Sequence, residues 1–526
     1  MCDSGSPKVK VYIIMKINRF MIAAVSSGSG KTLITCGLLR LLQEQGMTPV
    51  SFKCGPDFID PMFHTTVLGT KSRNLDPWFT DGGRTRMLMA TRAEQADIAV
   101  LEGVMGFYDG ISPDSSVGGS ADLAEVTRTP VLLVVPAHGM SRSVLPLIHG
   151  FLSFPGGQMI RGIILNRVSA SFFPTLKKMI ETETGIPVVG YVPKLDASMT
   201  LESRHLGLVM PDEIPGLQEK LGQLAGLFQR TMDLKQILAI ADSAPDIPDE
   251  EIQREEDRVR MEMMPDVRGR ESDHNPKAGA SNPDAGASAE GYERKNGVYV
   301  ADKSHAKAGQ YDIPAGRLRI GLARDEAFCF MYEDNLELLR QFGAELVPFS
   351  PMRDEKLPEN LDGLLLHGGY PELHAEALSK NESMRRAIRD AITGGMPVQA
   401  ECGGFLYLHR TLTDQKGQTY PLVGMFPEKA YDTGHLTRFG YVELREGRFF
   451  GRDVGPVRAH EFHYYESDNP GSAMLAVKPS GKRSWRCVRG TDAMYAGFPH
   501  LYYYANPGVA AAFLDRCWQY SQRRML

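Results

Sequence analysis

The sequence predicts an α/β protein built from two doubly wound domains. Buried β-rich runs alternate with helix-like stretches in two separate parts of the chain, which is typical of parallel sheets covered by helices. A long stretch rich in Pro, Gly, Ser and charged residues lies between these parts, and its composition is typical of a flexible connector. The length of 526 residues also exceeds what one hydrophobic core normally supports.

The alternating pattern sets the expected domain boundaries. We expect an N-terminal extension over residues 1–19, a first domain over 20–240, a flexible polar linker over 241–316 and a second domain over 317–526. The first domain has the predicted strands "RFMIAAV", "TPVSFK", "ADIAVLEG", "TPVLLVV" and "IRGIILNRV". The second has "RLRIGLA", "AELVPFS", "LDGLLLHGG" and "MPVQAEC", then β-like segments and a closing helix. The linker is interpreted as a tether that contains a short charged helix at most.

Composition narrows the classes of function. The formal net charge of −5 gives no basic field for nucleic acid, and no apolar run is long enough to span a membrane. The seven cysteines are odd in number and show no CxxC spacing, so neither a disulfide framework nor a zinc site is expected. We therefore expect a cytoplasmic protein.

The segment "AAVSSGSGKTLITCGLLRLL" predicts a phosphate-binding loop. Its glycines let backbone N–H groups surround phosphates at the start of a helix, while a lysine and a threonine reach the terminal phosphates and Mg²⁺. A strand precedes the loop and a helix follows it, although Val25 stands where the strict motif has glycine. The predicted ATP-binding residues of this loop are Gly28, Ser29, Gly30, Lys31 and Thr32.

Acidic residues follow two further strands of this domain. Asp57 and Asp60 come after the second strand, and Glu102 ends the third, with Asp109 a little beyond it. The carboxyl ends of parallel strands meet at one edge of a sheet, so these acids should converge on the P-loop. Mg²⁺ prefers oxygen ligands, which predicts a magnesium site of Thr32, Asp57 and Glu102. A simple turn role for either aspartate is the alternative.

In the second domain, "GMPVQAECGGFLYL" places Cys402 at a tight corner between a predicted strand and a helix. The residue is either a small core side chain or a nucleophile held out from the end of a sheet. At such a corner, the N-terminus of the following helix is expected to lower the pKa of the thiol. The N–H group of Gly403 is expected to stabilise an oxyanion.

Motifs from both domains resemble the cobyrinic acid a,c-diamide synthase family. In the first domain they are "SSGSGKT", "FKCGPDFIDPMFH", "LEGVMGFYDG", "HGMSRSV", "GIILNRV" and "ESRHLGLV", and this domain is also similar to dethiobiotin synthetase. In the second they are "ARDEAFCFMYEDNLELL", "SPMRDEKLP", "GGYPELHAEALS", "AECGGFLYL" and "HEFHYY". The resemblance implies a P-loop NTPase-like domain that activates carboxylates and a glutamine amidotransferase-like domain that releases ammonia.

The resemblance implies that Cys402 attacks the carboxamide of glutamine and that His500 is its base. The loop of Gly368, Gly369 and Tyr370 would supply a second oxyanion donor beside Gly403. Related amidotransferases often carry an acid two residues after the histidine, where this chain has Tyr502, so a Cys–His pair is expected rather than a triad. His460 and His463 are interpreted as structural or substrate-lining residues.

The resemblance further implies that ATP converts a carboxylate into an acyl phosphate, which ammonia then displaces. ATP and glutamine are the expected co-substrates, Mg²⁺ the expected cofactor, and the a and c acetates of cobyrinic acid the expected acceptors, in cobalamin biosynthesis. Asn166 joins the ATP site, and the activation cleft is expected to contain Lys53, Asp60, Asp109, Arg142, Arg204 and His205. For Arg142, Arg204 and His205, salt bridges at helix ends are an equally good interpretation.

Three alternatives remain open from the sequence. The same chemistry could act on hydrogenobyrinic acid or nickel-sirohydrochlorin, because the motifs do not identify the macrocycle or its metal. A P-loop partitioning or switch ATPase with a non-catalytic second domain is the alternative from another class. A regulatory protein with a decayed amidotransferase domain is the third, although it would be expected to lose Cys402 or His500. The expected partner is a small tetrapyrrole rather than nucleic acid or membrane, and a homodimer is left open.

Overall fold

The computed structural model confirms the two-domain α/β fold. It describes residues 14–196, 199, 203–204, 207–208, 211, 214–264, 292–295, 298–301 and 318–524. The chain divides into two compact units, Met1–Glu256 and Asp257–Leu526. Within the described residues, no helix has both the length and the apolar character needed to cross a membrane.

The first unit is organised around a parallel sheet of seven strands. Its order is β4-β3-β5-β2-β6-β7-β8, so the strand that leads into the P-loop, β2, is central. The strands of the unit are β1 Ile14–Met15, β2 Arg19–Ala24, β3 Pro49–Cys54, β4 Arg73–Leu75, β5 Ile98–Glu102, β6 Val131–Pro136, β7 Ile160–Asn166, β8 Val188–Val192, β9 Ser203–Arg204, β10 Gly207–Leu208 and β11 Ile247–Pro248. The five predicted strands form the centre of this sheet, and the two strands at its edges, β4 and β8, were not predicted.

Helices connect these strands. They are α1 Lys31–Glu44, α2 Ile59–Leu68, α3 Gly82–Ala93, α4 Ser120–Thr127, α5 Val144–Ser153, α6 Phe173–Thr184, α7 Leu217–Thr231 and α8 Leu234–Asp242. Helix α9, Asp249–Met263, begins in this unit and continues past its boundary at Glu256. Strands β2 and β5 are buried at every position, as expected for strands covered on both faces.

Residues 241–263, at the start of the predicted linker, are folded in the structure. Strand β11 pairs antiparallel with β1, which lies in the predicted N-terminal extension. Helix α9 then buries Ile252, Val259 and Met263. These three side chains share one helix face because they are spaced by seven and four residues. The rest of the predicted linker lies outside the described residues, apart from two short strands that pair with each other, β12 Tyr292–Lys295 and β13 Val298–Ala301.

A fully buried arginine ties the start of β2 to the surrounding chain. The Arg19 guanidinium donates hydrogen bonds to the carbonyl oxygens of Ile17 (2.9 Å), Thr127 (3.1 Å), Arg128 (3.3 Å) and Pro245 (2.7 Å). Burial lowers the pKa of Arg19 to about 10, so the group remains charged near neutral pH. Arg19 therefore joins three separate segments of the chain beneath the P-loop strand.

We expect Arg19→Met to lower the free energy of unfolding of the first unit by about 2–4 kcal/mol, because buried carbonyls lose their donors. Urea denaturation followed by circular dichroism measures this change, with Arg40→Met as the control because Arg40 forms only a half-exposed i,i+4 pair with Glu44. A loss below about 0.5 kcal/mol, the usual scatter of surface substitutions, would contradict the assigned role.

The second unit contains a six-stranded sheet of order β15-β14-β16-β17-β27-β26, parallel except for its last pair. A five-stranded antiparallel sheet, β25-β24-β21-β22-β28, and a four-stranded sheet, β19-β18-β20-β23, complete it. The strands of these three sheets are β14 Leu318–Ala323, β15 Ala344–Phe349, β16 Gly363–Leu366, β17 Val398–Glu401, β18 His409–Thr413, β19 Thr419–Pro421, β20 Phe426–Asp432, β21 Arg438–Arg445, β22 Val457–His463, β23 Tyr465–Ser467, β24 Met474–Val477, β25 Ser484–Cys487, β26 Arg489–Thr491, β27 Met494–Gly497 and β28 His500–Leu501.

The helices of this unit are α10 Glu333–Gln341, α11 Ala375–Lys380, α12 Glu382–Thr393, α13 Gly403–Tyr407 and α14 Gly508–Arg524. The four strands predicted for this domain are β14 to β17, and the predicted closing helix is α14. The corner that contains Cys402 connects β17 to α13. Because β17 lies beside β27, residues that follow these two strands come together at the same edge of the sheet.

Candidate active sites

The P-loop of the first unit lies between β2 and α1. Gly30 has a left-handed backbone (φ 93°), and a Cβ atom at this position would lie 2.7 Å from Asn166 Nδ2. Asn166, the last residue of β7, donates a hydrogen bond of 2.8 Å to the carbonyl oxygen of Ser29. The side chain of Asn166 therefore supports the P-loop by binding the main chain of Ser29. The sequence had predicted only that Asn166 belongs to the ATP site.

Glu102 is the centre of a buried polar network beside this loop. Its Oε1 accepts hydrogen bonds from the Thr32 hydroxyl (2.7 Å) and from Lys53 Nζ (2.9 Å), and its Oε2 lies 2.7 Å from His64 Nε2. Lys53 also forms a salt bridge with Asp60. Strands β2, β3 and β5 bring these groups together, as the sequence predicted for Thr32, Lys53, Asp60 and Glu102.

The protonation states in this network follow from burial and charge. Burial alone would raise the pKa of Glu102, but Lys53 and His64 lower it well below its ordinary value. Burial would also lower the pKa of Lys53, but the charges of Asp60 and Glu102 raise it well above its usual range. Burial and the neighbouring Asp57 raise the pKa of Asp60, while the charge of Lys53 acts in the opposite direction. The site therefore holds an ionised Glu102 next to a charged Lys53.

His64 belongs to this network and was not predicted. It lies four residues after Asp60 on helix α2, so both side chains lie on the same helix face. The motif "FIDPMFH" contains this spacing, which was the available signal.

Five predicted residues of the first unit are not part of the hydrogen-bond network described for Glu102. Asp57 Oδ1 accepts hydrogen bonds from the backbone N–H groups of Ile59 (2.8 Å) and Asp60 (3.2 Å), and Asp109 Oδ2 accepts one from Gly106 (2.8 Å). Both aspartates thus organise loops at the site. Of the remaining three, Arg142 is exposed just before α5, Arg204 is described only by its backbone in β9, and His205 lies outside the described residues.

Cys402 lies at a strained corner in the second unit. Its backbone dihedral angles, φ 47° and ψ −102°, fall in a region that residues other than glycine rarely occupy. The Cys402 N–H donates a hydrogen bond of 2.8 Å to the carbonyl oxygen of Gly497, at the end of the neighbouring strand β27. A core cysteine has no need for such a backbone, so the geometry favours the nucleophile over the core interpretation.

The glycine loop after β16 lies against this corner. A Cβ atom at Gly403 would lie 3.1 Å from the backbone nitrogen of Gly369, and one at Gly368 would lie 2.5 Å from His500 Cε1. The predicted oxyanion loop, the nucleophile corner and the predicted base are therefore adjacent. The aromatic ring of Tyr370 packs edge-on against Phe330 at 4.9 Å, on one side of this loop.

The predicted lowering of the Cys402 pKa is wrong. Burial, and then the negative charge of Glu372, raises the pKa of this thiol far above its ordinary value, although a backbone hydrogen bond from Gly403 acts in the opposite direction. Only 8% of Cys402 is exposed, and α13 is just five residues long, so its N-terminus offers a weak dipole. The resting site therefore holds a neutral thiol that needs a base.

Two further histidines lie close to this site on β22. His460 is the register partner of His500, and burial, together with the charge of His500, lowers its pKa to about 3. His463 stacks on Phe498 at 3.8 Å, and its Nδ1 lies 2.7 Å from the carbonyl oxygen of Tyr465. A histidine that resists protonation, such as His460, is a poor proton acceptor. The Phe498 ring and the Tyr465 carbonyl oxygen engage His463, so these contacts favour a structural role for both residues of β22.

Comparisons with known proteins cover both units. The CobQ/CobB/MinD/ParA nucleotide binding domain matches residues 20–209, and the CobB/CobQ-like glutamine amidotransferase domain matches residues 319–505. A cobyrinate a,c-diamide synthase of Caldanaerobacter subterraneus is 34% identical over 510 residues, which cover 96% of this chain and 99% of that protein. The chain belongs to the cobyrinate a,c-diamide synthase family.

Other members of the family match over a similar span. The cobyrinate a,c-diamide synthase of Listeria innocua is 34% identical over 94% of this chain and 98% of its own. That of Picrophilus torridus is 32% identical over 96% of this chain and 100% of its own. These matches confirm the predicted family and the predicted class of ligase, which combines a nucleotide-binding domain with a glutamine amidotransferase domain.

Proposed function

We propose that this protein amidates the a and c acetate carboxylates of cobyrinic acid, using ATP and glutamine, in the cytoplasm. The observation that carries the proposal is the pairing of two sites on one chain: a P-loop beside Glu102 and Lys53, and a strained Cys402 corner beside His500. Relatives named for this reaction match over nearly the whole length of the chain. The free thiols of the described cysteines are consistent with a reducing compartment.

The second unit would supply ammonia. His500 takes the proton of Cys402 as the thiolate attacks the glutamine carboxamide, and the N–H groups of Gly403 and Gly369 stabilise the oxyanion. The proton then moves to the departing nitrogen, the C–N bond breaks, and ammonia leaves behind a thioester. Hydrolysis of that thioester releases glutamate and restores Cys402.

The first unit would activate the acceptor. Gly28, Gly30 and Lys31 hold the phosphates of ATP, while the substrate carboxylate attacks the γ-phosphoryl group to form an acyl phosphate and ADP. Ammonia then displaces inorganic phosphate and forms the amide. Lys53 lies where its charge can orient the reacting oxygens, because Glu102 and Asp60 hold its amino group in place.

The side chains at this site fit Mg²⁺. Thr32 and the ionised Glu102 place a hydroxyl and a carboxylate oxygen 2.7 Å apart, and Mg²⁺ commonly uses one or two such ligands together with substrate phosphates. Among the described side chains, no three His, Cys, Asp or Glu residues group as a metal site, so ATP would complete the coordination. We propose Thr32, Asp57 and Glu102 as the ligands, and the ion would neutralise phosphate charge.

We expect the purified protein to convert cobyrinic acid into a diamide when ATP, Mg²⁺ and glutamine are present. Mass spectrometry of the corrinoid measures this, because each amidation lowers the mass by about 1 Da as a hydroxyl becomes an amino group. Parallel reactions without ATP, or with hydrogenobyrinic acid or nickel-sirohydrochlorin as acceptor, are the controls. Amidation of one of those acceptors, with cobyrinic acid left unchanged, would overturn the substrate assignment.

A further inference from the structure

Glu401 is a buried acid that the chemistry above does not use. It is the last residue of β17 and directly precedes Cys402. Only 3% of it is exposed, and a carboxylate is rarely buried without partners. Alternation along the strand places Glu401 and Gln399 on the same face of the sheet.

Two side chains connect Glu401 to the interior of the unit. The Tyr503 hydroxyl donates a hydrogen bond of 2.9 Å to Gln399 Oε1, and Gln399 Nε2 donates one of 2.7 Å to Glu401 Oε1. On the other side, Glu401 Oε2 lies 3.6 Å from His500 Nδ1. All four side chains are buried, so the row runs from the core to the predicted base.

The direction of the hydrogen bonds in this row is fixed by chemistry. A carboxylate oxygen accepts, so the NH₂ group of Gln399 points to Glu401. The Oε1 atom of Gln399 then faces Tyr503 and accepts from its hydroxyl. Glu401 Oε1 is therefore satisfied, and the Oε2 atom faces the imidazole ring.

The position that carries the acid in related amidotransferases is filled differently here. Tyr502 stands two residues after His500, and its hydroxyl donates to Asp334 Oδ2 at 3.3 Å. A tyrosine whose hydroxyl donates to a carboxylate of α10 does not supply the negative charge that a carboxylate would place beside the imidazole. The acid beside His500 comes instead from another strand.

We propose that Glu401 positions His500 for glutamine hydrolysis, by accepting a hydrogen bond from Nδ1–H at its Oε2 atom. This arrangement makes Nε2 the atom that takes the thiol proton of Cys402, and it stabilises the imidazolium that forms. The observed separation is longer than a hydrogen bond, and catalytic contacts commonly shorten when substrate binds. The inference rests on the proposed glutaminase role of Cys402 and His500.

Glu401→Gln tests the proposal, because it keeps the shape of the side chain and removes the charge. We expect kcat for glutamine hydrolysis, measured as glutamate released, to fall by about 100-fold or more, with KM for glutamine within about threefold of wild type. Amidation driven by ammonium salts should be unchanged, which shows that the variant is folded. Glu401→Asp should recover part of the lost rate.

A double-variant cycle with His500→Ala separates positioning from a general structural effect. If Glu401 acts through His500, adding Glu401→Gln to His500→Ala should cause no further loss. Tyr502→Phe is the matched control and should stay within about threefold of wild type. Independent losses in the double variant, an unchanged kcat in Glu401→Gln, or an equal fall of the ammonium-driven reaction would overturn the proposal. Because the assay measures glutamate release, the conclusion about Glu401 does not depend on which corrinoid the protein amidates.

Discussion

Cys402→Ala is expected to abolish glutamine-dependent amidation and to leave ammonium-dependent amidation near the wild-type rate. The thiol is the proposed nucleophile only in the first of these reactions, while free ammonia enters the second directly. Loss of the nucleophile typically removes several orders of magnitude from kcat, so residual glutamate release should be near background. The measurement is a comparison of diamide formation with glutamine and with ammonium chloride as nitrogen sources.

The matched control is Cys329→Ala, in the same unit. Cys329 is more exposed than Cys402 and belongs to no strained corner, so its removal should leave both reactions intact. An electrophilic glutamine analogue should label wild type at one residue, Cys402, and should fail to label Cys402→Ala. Full glutamine-dependent activity in Cys402→Ala would refute the assignment of the nucleophile.

The tight corner at Cys402 could be predicted from the sequence, but the protonation state of its thiol could not. A strand, an acid, a cysteine and two glycines are local signals, and the strained backbone at Cys402 agrees with them. The pKa of the thiol depends on burial by distant segments and on the charge of Glu372, neither of which is visible in a local motif. The contact between Glu401 and His500 could not be predicted for the same reason. It forms because β17, which ends at Glu401, lies beside β27, which His500 follows.

In the first unit the central sheet was predictable, while the periphery was not. Strand β2 is a continuous apolar run followed by a glycine-rich loop, which gives two independent signals. Helix α9 contains many charged residues, and a single stripe of Ile252, Val259 and Met263 anchors it, so composition alone suggested a linker. Its burial depends on surfaces formed by other parts of the chain.

Lys31→Met is expected to reduce amidation by about 100-fold or more with glutamine and with ammonium alike. The ammonium group of Lys31 would face the phosphates of ATP, and both nitrogen sources depend on the acyl phosphate made there. Glutamate release in the variant reports on the second unit separately. Arg40→Met, on the exposed face of the same helix, is the matched control and should retain full activity.

The pH dependence of ATP binding gives a second readout of Lys31. Burial, followed by the charge of Lys53, lowers the pKa of Lys31 to about 8. The amino group is therefore charged below pH 8 and becomes neutral as the pH rises through that value, while phosphates favour the charged form. We expect the affinity for ATP to fall above pH 8 in wild type, and titration calorimetry near that pH should detect proton uptake on binding. In Lys31→Met this fall and this uptake should both disappear, and their persistence would mean that another group binds the phosphates.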